Sequence, residues 1–184
     1  MGIGKKLAIS MVIAFLGMNL HAQENSFIFK PLFGGGGGTA VFDGSGGYGL
    51  GGSGEFAFLF YGNKGLQISN HIIGRGDNIT TQSGTHYGTG SIMEKISFGG
   101  FLPENFLRSY TFIEGGIGFG GGNGMAILNF IFGGGGGIDL FYHDSGSIYL
   151  EVGYLQHHVN AELVGGVSIS IGSRGWINKN NGRN

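Results

Sequence analysis

The chain has 184 residues, enough for one domain, with a formal net charge of −1 and only 11% charged residues. Such a small charge provides no basic field, so no nucleic-acid partner is expected. The 43 glycines approach the content of low-complexity, disordered sequences. The 16 phenylalanines and 7 tyrosines argue against disorder, because a solvated chain has little use for large apolar rings. No cysteine is present, which excludes disulfides and a lipoprotein attachment site.

The first 22 residues have the pattern of a secretory signal peptide. Lys5 and Lys6 precede an apolar run over residues 7–16, and Leu20-His21-Ala22 follows. The run is shorter than the roughly 20 residues that a spanning helix needs, so cleavage after Ala22 is expected rather than a membrane anchor. The predicted organisation is a signal peptide over residues 1–22, a barrel domain over 23–172 and a short polar tail over 173–184.

Eight stretches of alternating bulky and small or polar residues follow. Between Leu50 and Tyr61, for example, Phe56, Phe58 and Phe60 share one parity and Glu55 has the other. Gly, Asn, Asp and Ser clusters that favour tight turns separate the stretches. The predicted strands cover residues 27–42, 49–61, 66–75, 88–101, 109–120, 125–142, 147–157 and 161–171.

This alternation is typical of strands that separate lipid from a polar interior. An exported chain with so much apolar surface and no spanning helix must close its strands on themselves. We therefore predict an all-β fold, a single eight-stranded antiparallel up-and-down transmembrane β-barrel in the bacterial outer membrane. Its expected partners are outer-membrane lipid and the barrel-assembly machinery. A soluble ligand-binding barrel is the alternative, but it would need polar residues where Phe56 and Phe130 point outward.

Charged residues fall mainly on the inward parity. An eight-stranded barrel has an interior just wide enough for side chains, and buried charges must pair there. We therefore predict a side-chain-filled lumen that holds a charged network, with a narrow small-solute pore as the alternative. The predicted network consists of Lys30, Glu55, His71, Lys95, Glu114, Asp139, Glu151 and Glu162.

Glu94 breaks the alternation. It shares the outward parity of Ile92 and Ile96, whereas Lys95 falls inward. A β-bulge near Gly90 or Met93 would restore the pattern, since a bulge shifts the faces of the residues that follow it.

Two runs of five glycines, 34–38 and 133–137, lie inside predicted strands. One interpretation is flexible linker. The other is that glycine relieves crowding in a narrow barrel and lets bent strands turn. The flanking apolar residues favour the second interpretation.

Residues 166–171 are Gly-Val-Ser-Ile-Ser-Ile. This segment resembles the last-strand assembly signal of the OmpA/OmpX/OmpW-like superfamily of small outer-membrane barrels, and the likeness in strand plan covers about residues 27–171. From the alternation and the short turns we predict a non-enzymatic integral outer-membrane protein with a structural or surface-interaction role. Strands of that family usually end the protein on an aromatic, whereas residues 172–184 follow here, with Trp176 among them. No cofactor or metal is expected.

Arg75-Gly76-Asp77 spells an integrin-type adhesion tripeptide at the mouth of the longest predicted loop, residues 77–87. Exposed loops are where binding residues concentrate. The sequence therefore predicts a surface loop at these three residues, with a host or surface ligand as a possible partner.

His143-Asp144-Ser145 provides an enzymatic alternative. It resembles the His-x-Ser pair of outer-membrane lipid A deacylases, in which histidine activates serine as the nucleophile and an acid orients the histidine. Glu151 or Glu162 would supply the acid. Against this alternative, the predicted topology places the pair in a periplasmic turn, away from outer-leaflet lipid A.

Overall fold

The protein, analysed as a computed structural model, is described over residues 30–63, 66–101, 107–122, 124–143, 146–159 and 162–177. These residues form eight strands: β1 (Lys30–Phe42), β2 (Tyr48–Asn63), β3 (Leu66–Thr80), β4 (His86–Phe101), β5 (Leu107–Gly122), β6 (Met125–His143), β7 (Gly146–Val159) and β8 (Glu162–Trp176). The predicted signal peptide lies outside the described residues. Among the described residues, no helix is long and apolar enough to cross a membrane.

Every strand pairs antiparallel with its neighbours in sequence, and β1 pairs with β8, so the sheet closes into a barrel. Closure leaves no free sheet edge, and the backbone N–H and C=O groups of each strand find partners on both sides. The predicted fold class, an eight-stranded up-and-down barrel, is confirmed. We call the end with Lys30 and Trp176 the basal end, and the end with the β1–β2 turn the upper end.

The predicted faces are confirmed. In β3 the side chains of Gln67, Ser69 and His71 are buried, whereas Ile72 is 54% exposed. In β7 Glu151 is buried and the neighbouring Val152 is exposed. The outward face is apolar on all sides of the barrel, with exposed Leu50, Phe56, Phe60, Ile92, Ile113, Ile117, Phe119, Leu128, Phe130, Phe132, Leu140, Ile148, Leu150, Leu163, Val167, Ile169 and Ile171.

Register shifts occur near the basal end, between Pro31 and Phe33 and in β2 and β6. Proline has no N–H to donate, so it is tolerated where the ladder is interrupted. The bulge that would have restored the pattern near Gly90 or Met93 is not present, because β4 pairs with β3 and β5 without a register shift. Glu94 therefore stays on the outer face.

β3 and β8 each end five residues later than predicted, at Thr80 rather than Arg75 and at Trp176 rather than Ile171. β3 continues from Arg75 to Thr80, because the lumen accepts alternate residues there: Asp77 and Ile79 are buried. The surface loop predicted at Arg75-Gly76-Asp77 is corrected accordingly, since these residues lie within a strand and the two charged side chains point inward. β8 continues to Trp176, so the predicted polar tail begins inside the strand.

Three layers of apolar side chains cross the lumen, and they are separated by polar groups. The basal layer is Leu32, Phe33, Ala57, Leu59 and Trp176. The middle layer is Val41, Ile73, Met93, Ile131 and Leu155. The upper layer is Ile79, Tyr87, Ile127, Val159 and Val164. The charged residues described next lie between the basal and middle layers.

Candidate functional site

Arg174 of β8 is the centre of the polar lumen. Its Nε lies 2.6 Å from Oε1 of Glu55, and its Nη2 lies 2.9 Å from Oε1 of Glu151. Its Nη1 lies 2.5 Å from Oδ1 of Asp139 and donates to the Tyr110 hydroxyl at 2.6 Å. One guanidinium thus contacts three carboxylates from three different strands. Because guanidinium presents five N–H donors in a rigid plane, arginine suits this arrangement better than lysine.

Lys95 and His71 extend the network across β3 and β4. The Lys95 ammonium lies 2.8 Å from Oε1 of Glu151 and 3.7 Å from Oε2 of Glu55. Nδ1 of His71 lies 3.2 Å from Oε2 of Glu55, and its Nε2 lies 3.0 Å from the Ser69 hydroxyl. Each of the two glutamates therefore has several hydrogen-bonding partners, which is the condition for keeping a carboxylate buried.

Arg108 of β5 is the second buried guanidinium. Its Nη1 lies 3.0 Å from Oδ2 of Asp139, and its Nη2 donates to the Ser97 hydroxyl at 3.2 Å. The group also lies over the rings of Tyr110 and Trp176, at 4.7 and 5.7 Å from their centroids. Stacking on aromatic faces is favourable for a weakly hydrated cation. Asp139 is thereby held between two arginines.

The network is balanced in charge: Glu55, Asp139 and Glu151 face Arg108, Arg174 and Lys95. Removal of one member of such a group leaves an uncompensated buried charge. These carboxylates are saturated by cations and hydroxyl donors, an arrangement suited to filling and bracing a lumen.

Glycines make room for the large members of this network. A Cβ atom at Gly137 would lie 2.6 Å from Cζ of Tyr110 and 2.8 Å from Cγ of Glu151. One at Gly172 would lie 2.6 Å from Cε1 of Tyr149. Both glycine runs lie inside strands, β1 and β6, which confirms the crowding interpretation over the flexible linker.

A second polar group lies nearer the upper end. Nε of Arg75 lies 2.6 Å from Oδ1 of Asp77, and Nδ2 of Asn129 lies 3.2 Å from Nδ1 of His157. All four side chains are buried, and each also has one buried polar atom without a protein partner. The tripeptide predicted to contact an outside ligand thus takes part in the packing of the lumen.

The structure brings together five of the eight predicted network residues: Glu55, His71, Lys95, Asp139 and Glu151. Glu114 lines a cavity of about 20 Å³ beside them, which has room for about one water molecule. The side chain of Lys30 lies outside the described residues.

Glu162 is corrected to the upper rim, because it is the first residue of β8 and accepts a hydrogen bond from Ser83 of the β3–β4 turn at 3.1 Å. This position also separates it from the predicted His143-Ser145 pair, since His143 ends β6 at the basal end. Asp144, Ser145 and the side chain of His143 lie outside the described residues. Glu151, the other proposed acid, is bound to Lys95 and Arg174.

The prediction missed the two arginines and the two tyrosines of the network. Arg108 precedes the predicted start of its strand, and Arg174 lies in the predicted tail. The inward parity of β8, continued past Ile171, would have indicated Arg174 and Trp176. Among the residues that the structure describes, no group of three or more His, Cys, Asp or Glu side chains is placed to hold a metal ion.

At the upper rim the β1–β2 and β3–β4 turns contact each other. Gln82 of the β3–β4 turn donates to Asp43 at 3.3 Å and also to Ser45 of the β1–β2 turn. The hydrogen bonds from the side chain and the backbone of Ser45 lower the pKa of Asp43. An open cleft of about 430 Å³ lies beside them, lined by Gln82, Ser83, Glu162 and Leu163.

Comparison with known proteins gives likeness in structure and not in sequence. No protein-family model matches the chain, and no curated protein matches it. The crystal structure of Neisserial surface protein A (NspA) matches with a TM-score of 0.50 and 15% identity over 83% of this chain and 99% of that one. The Yersinia pestis outer membrane protein Ail matches with a TM-score of 0.41 and 13% identity over 79% of this chain and 99% of that one. With its closed barrel of eight antiparallel strands, the chain has the fold of the small outer-membrane β-barrels.

Proposed function

We propose that this chain is an integral protein of the bacterial outer membrane whose lumen is closed by its own side chains. It has a structural or surface-interaction role and is neither an enzyme nor a pore. The observation that carries the proposal is the combination of an apolar exterior with an interior filled by paired charges.

The exterior supports insertion into lipid. Large apolar side chains are exposed on the outward faces, whereas Arg75, Lys95, Arg108 and Arg174 are all buried in the lumen. These four are the lysines and arginines whose side chains the structure describes. A soluble barrel has the opposite distribution, because water favours charged groups outside and apolar groups inside. The alternative of a soluble ligand-binding barrel is therefore disfavoured.

The interior supports a closed lumen. A solute moving along the axis would have to pass three apolar layers and the charge network between the basal and middle layers. The cavity beside the network measures about 20 Å³, the size of about one water molecule. To let the solute through, the ion pairs of the network would have to separate, and this would leave buried charges without partners at a considerable cost in free energy.

Partners follow from the location. We propose that outer-membrane lipid surrounds the barrel and that the barrel-assembly machinery inserts it. A surface ligand would meet the upper rim at the open cleft, which is lined by Gln82, Ser83, Glu162 and Leu163.

Cell fractionation tests the location. We expect the protein in the outer-membrane fraction, soluble only after detergent is added, because the exterior is apolar. In gels run without heating, the folded barrel should migrate differently from the boiled chain, since its closed sheet resists unfolding by the gel detergent. A product that stays soluble without detergent would exclude the membrane assignment.

Planar bilayers test the closed lumen. We expect no discrete conductance steps from the purified, folded protein, because the charge network and the apolar layers occupy the axis. A general porin inserted under the same conditions is the positive control. Reproducible conductance steps from the folded barrel would favour the small-solute pore instead.

A further inference from the structure

Glu94 lies on the outward face at the middle of β4, with Ile92 and Ile96 as its neighbours on that face. Ile92 is 70% exposed, so the surroundings are apolar and open. Asn70 of β3 donates a hydrogen bond to Oε1 of Glu94 at 2.5 Å. A polar pair thus lies on the part of the barrel that the proposed function places in hydrocarbon.

Ionisable groups inside a membrane are costly and generally have a functional reason. No lysine or arginine with a described side chain neutralises this carboxylate, because all of them are buried in the lumen. Asn70 uses one of its two N–H groups in the bond to Glu94, and Oε1 is the carboxylate oxygen that accepts it. The second N–H of the Asn70 amide and Oε2 of Glu94 take no part in this bond and can each bind a further partner.

Several outward positions near this pair are glycines, so no side chains project from the barrel wall there. Outward-facing Gly74 and Gly90 have open space around them, since a Cβ atom at either would meet nothing within 4 Å. At Gly115, the register partner of Glu94, the nearest atom would be 3.5 Å away. These glycines are needed neither for packing nor for positive φ. Glycine within a strand often marks a place where another backbone approaches closely.

We propose that the outward face around Asn70 and Glu94, on β3, β4 and β5, is the contact surface between two copies of this chain in the membrane. The proposal rests on the membrane location given above. Two copies inserted in the same direction are related by an axis along the membrane normal, so their Asn70–Glu94 pairs lie at equal depth. Each Glu94 carboxylate then accepts one N–H from its own Asn70 and one from the second copy. Such two-fold contacts are self-complementary, and the low glycine surface brings the two walls together.

Disulfide cross-linking tests this contact, because the chain has no cysteine and single-cysteine variants report one position each. We expect Ile72→Cys, Ile92→Cys or Ile113→Cys, which surround Glu94, to form a covalent dimer in isolated outer membranes treated with an oxidant. The oxidant removes two hydrogens from two thiols to form one disulfide. Val152→Cys and Ile169→Cys, on the opposite wall, are matched controls and should stay monomeric. Equal cross-linking on both walls, or cross-linking only to another protein, would overturn the proposal.

The polar pair itself is tested in the cross-linking background. Combined with Ile92→Cys, Glu94→Leu should abolish the dimer band, because leucine offers no acceptor. Glu94→Gln should retain it, because its amide keeps an acceptor oxygen and adds a donor. Heat-dependent gel migration shows that each variant is folded. A folded Glu94→Leu variant that cross-links as well as its parent would contradict the role of the pair. A protein that is not recovered in the outer-membrane fraction would refute the membrane location. A folded, inserted barrel that forms no cross-link would refute only the dimer.

Discussion

The Arg174→Leu variant is expected to lose about 3–5 kcal/mol of folding free energy, the range measured when one partner of a buried ion pair is removed. Leucine fills much of the volume but donates no hydrogen bond. Glu55, Asp139 and Glu151 would lose their shared cation at once, with distances to Arg174 of 2.6, 2.5 and 2.9 Å in the intact barrel. Asp139 keeps Arg108 at 3.0 Å and Glu151 keeps Lys95 at 2.8 Å, whereas Glu55 keeps the longer contacts with His71 at 3.2 Å and Lys95 at 3.7 Å.

Urea unfolding of the barrel in lipid vesicles measures this effect, through a lower midpoint at an unchanged slope. Ser173→Leu is the matched control, since Ser173 is the exposed neighbour on the outward face and its replacement leaves the network intact. The double variant Arg174→Leu, Glu55→Leu should recover part of the loss, because it removes the carboxylate that loses most together with the cation, while Asp139 keeps Arg108 and Glu151 keeps Lys95. A midpoint equal to that of the unaltered chain would show that the network does not stabilise the barrel.

The barrel could be predicted from sequence because its cause is local. Each strand alternates between two media, so the parity of residues such as Gln67, Ser69 and Ile72 is visible in the order of the chain alone. Closure satisfies the backbone hydrogen bonds of every strand within the sheet, which strands with apolar outward faces require if lipid surrounds them. The same local signal explains why Glu55, Lys95 and Glu151 were correctly placed inside.

Strand ends were harder to predict, because polar residues at the end of a strand look like a turn. Asp77 and Arg174 were assigned to a loop and a tail for that reason, yet both are buried and paired. Asp77 pairs with Arg75 of its own strand, and Arg174 pairs with Glu55 and other carboxylates of different strands. Pairings such as the one between Arg174 and Glu55, 119 positions apart, are set by the curvature of the closed sheet, which no short window of sequence contains.

Glu94 shows the opposite limit. The alternation alone predicts its outward position, and β4 pairs with both of its neighbours without a register shift. Its partner Asn70 lies 24 positions away on the adjacent strand and becomes visible only with the register of β3 and β4. An exception to a strong pattern is therefore better kept as an observation, since exceptions collect at sites with a function.

Adjacent glycines in β6 should respond in opposite ways to alanine, because one faces the lumen and the other faces outward. A Cβ atom at Gly135 would lie 2.6 Å from Cα of Gly153 and even closer to the Val152 carbonyl oxygen. Both are backbone atoms of the paired strand β7, which cannot swing away as a side chain would. We expect Gly135→Ala to cost about 1–3 kcal/mol, the usual range for overpacking an interior.

Gly136→Ala is the matched variant, one position along the same strand. The nearest atom to its Cβ would be the Tyr110 carbonyl oxygen at 3.6 Å, which is ordinary van der Waals contact. Alanine also restricts the unfolded chain, so Gly136→Ala should be neutral or more stable by up to about 1 kcal/mol. The urea midpoints of the two variants, each compared with that of the unaltered chain, measure these changes in stability. Equal losses would mean that chain flexibility rather than lumen crowding explains the glycine run, whereas a loss confined to Gly135→Ala ties the run to the space that the β6 and β7 backbones leave inside the barrel.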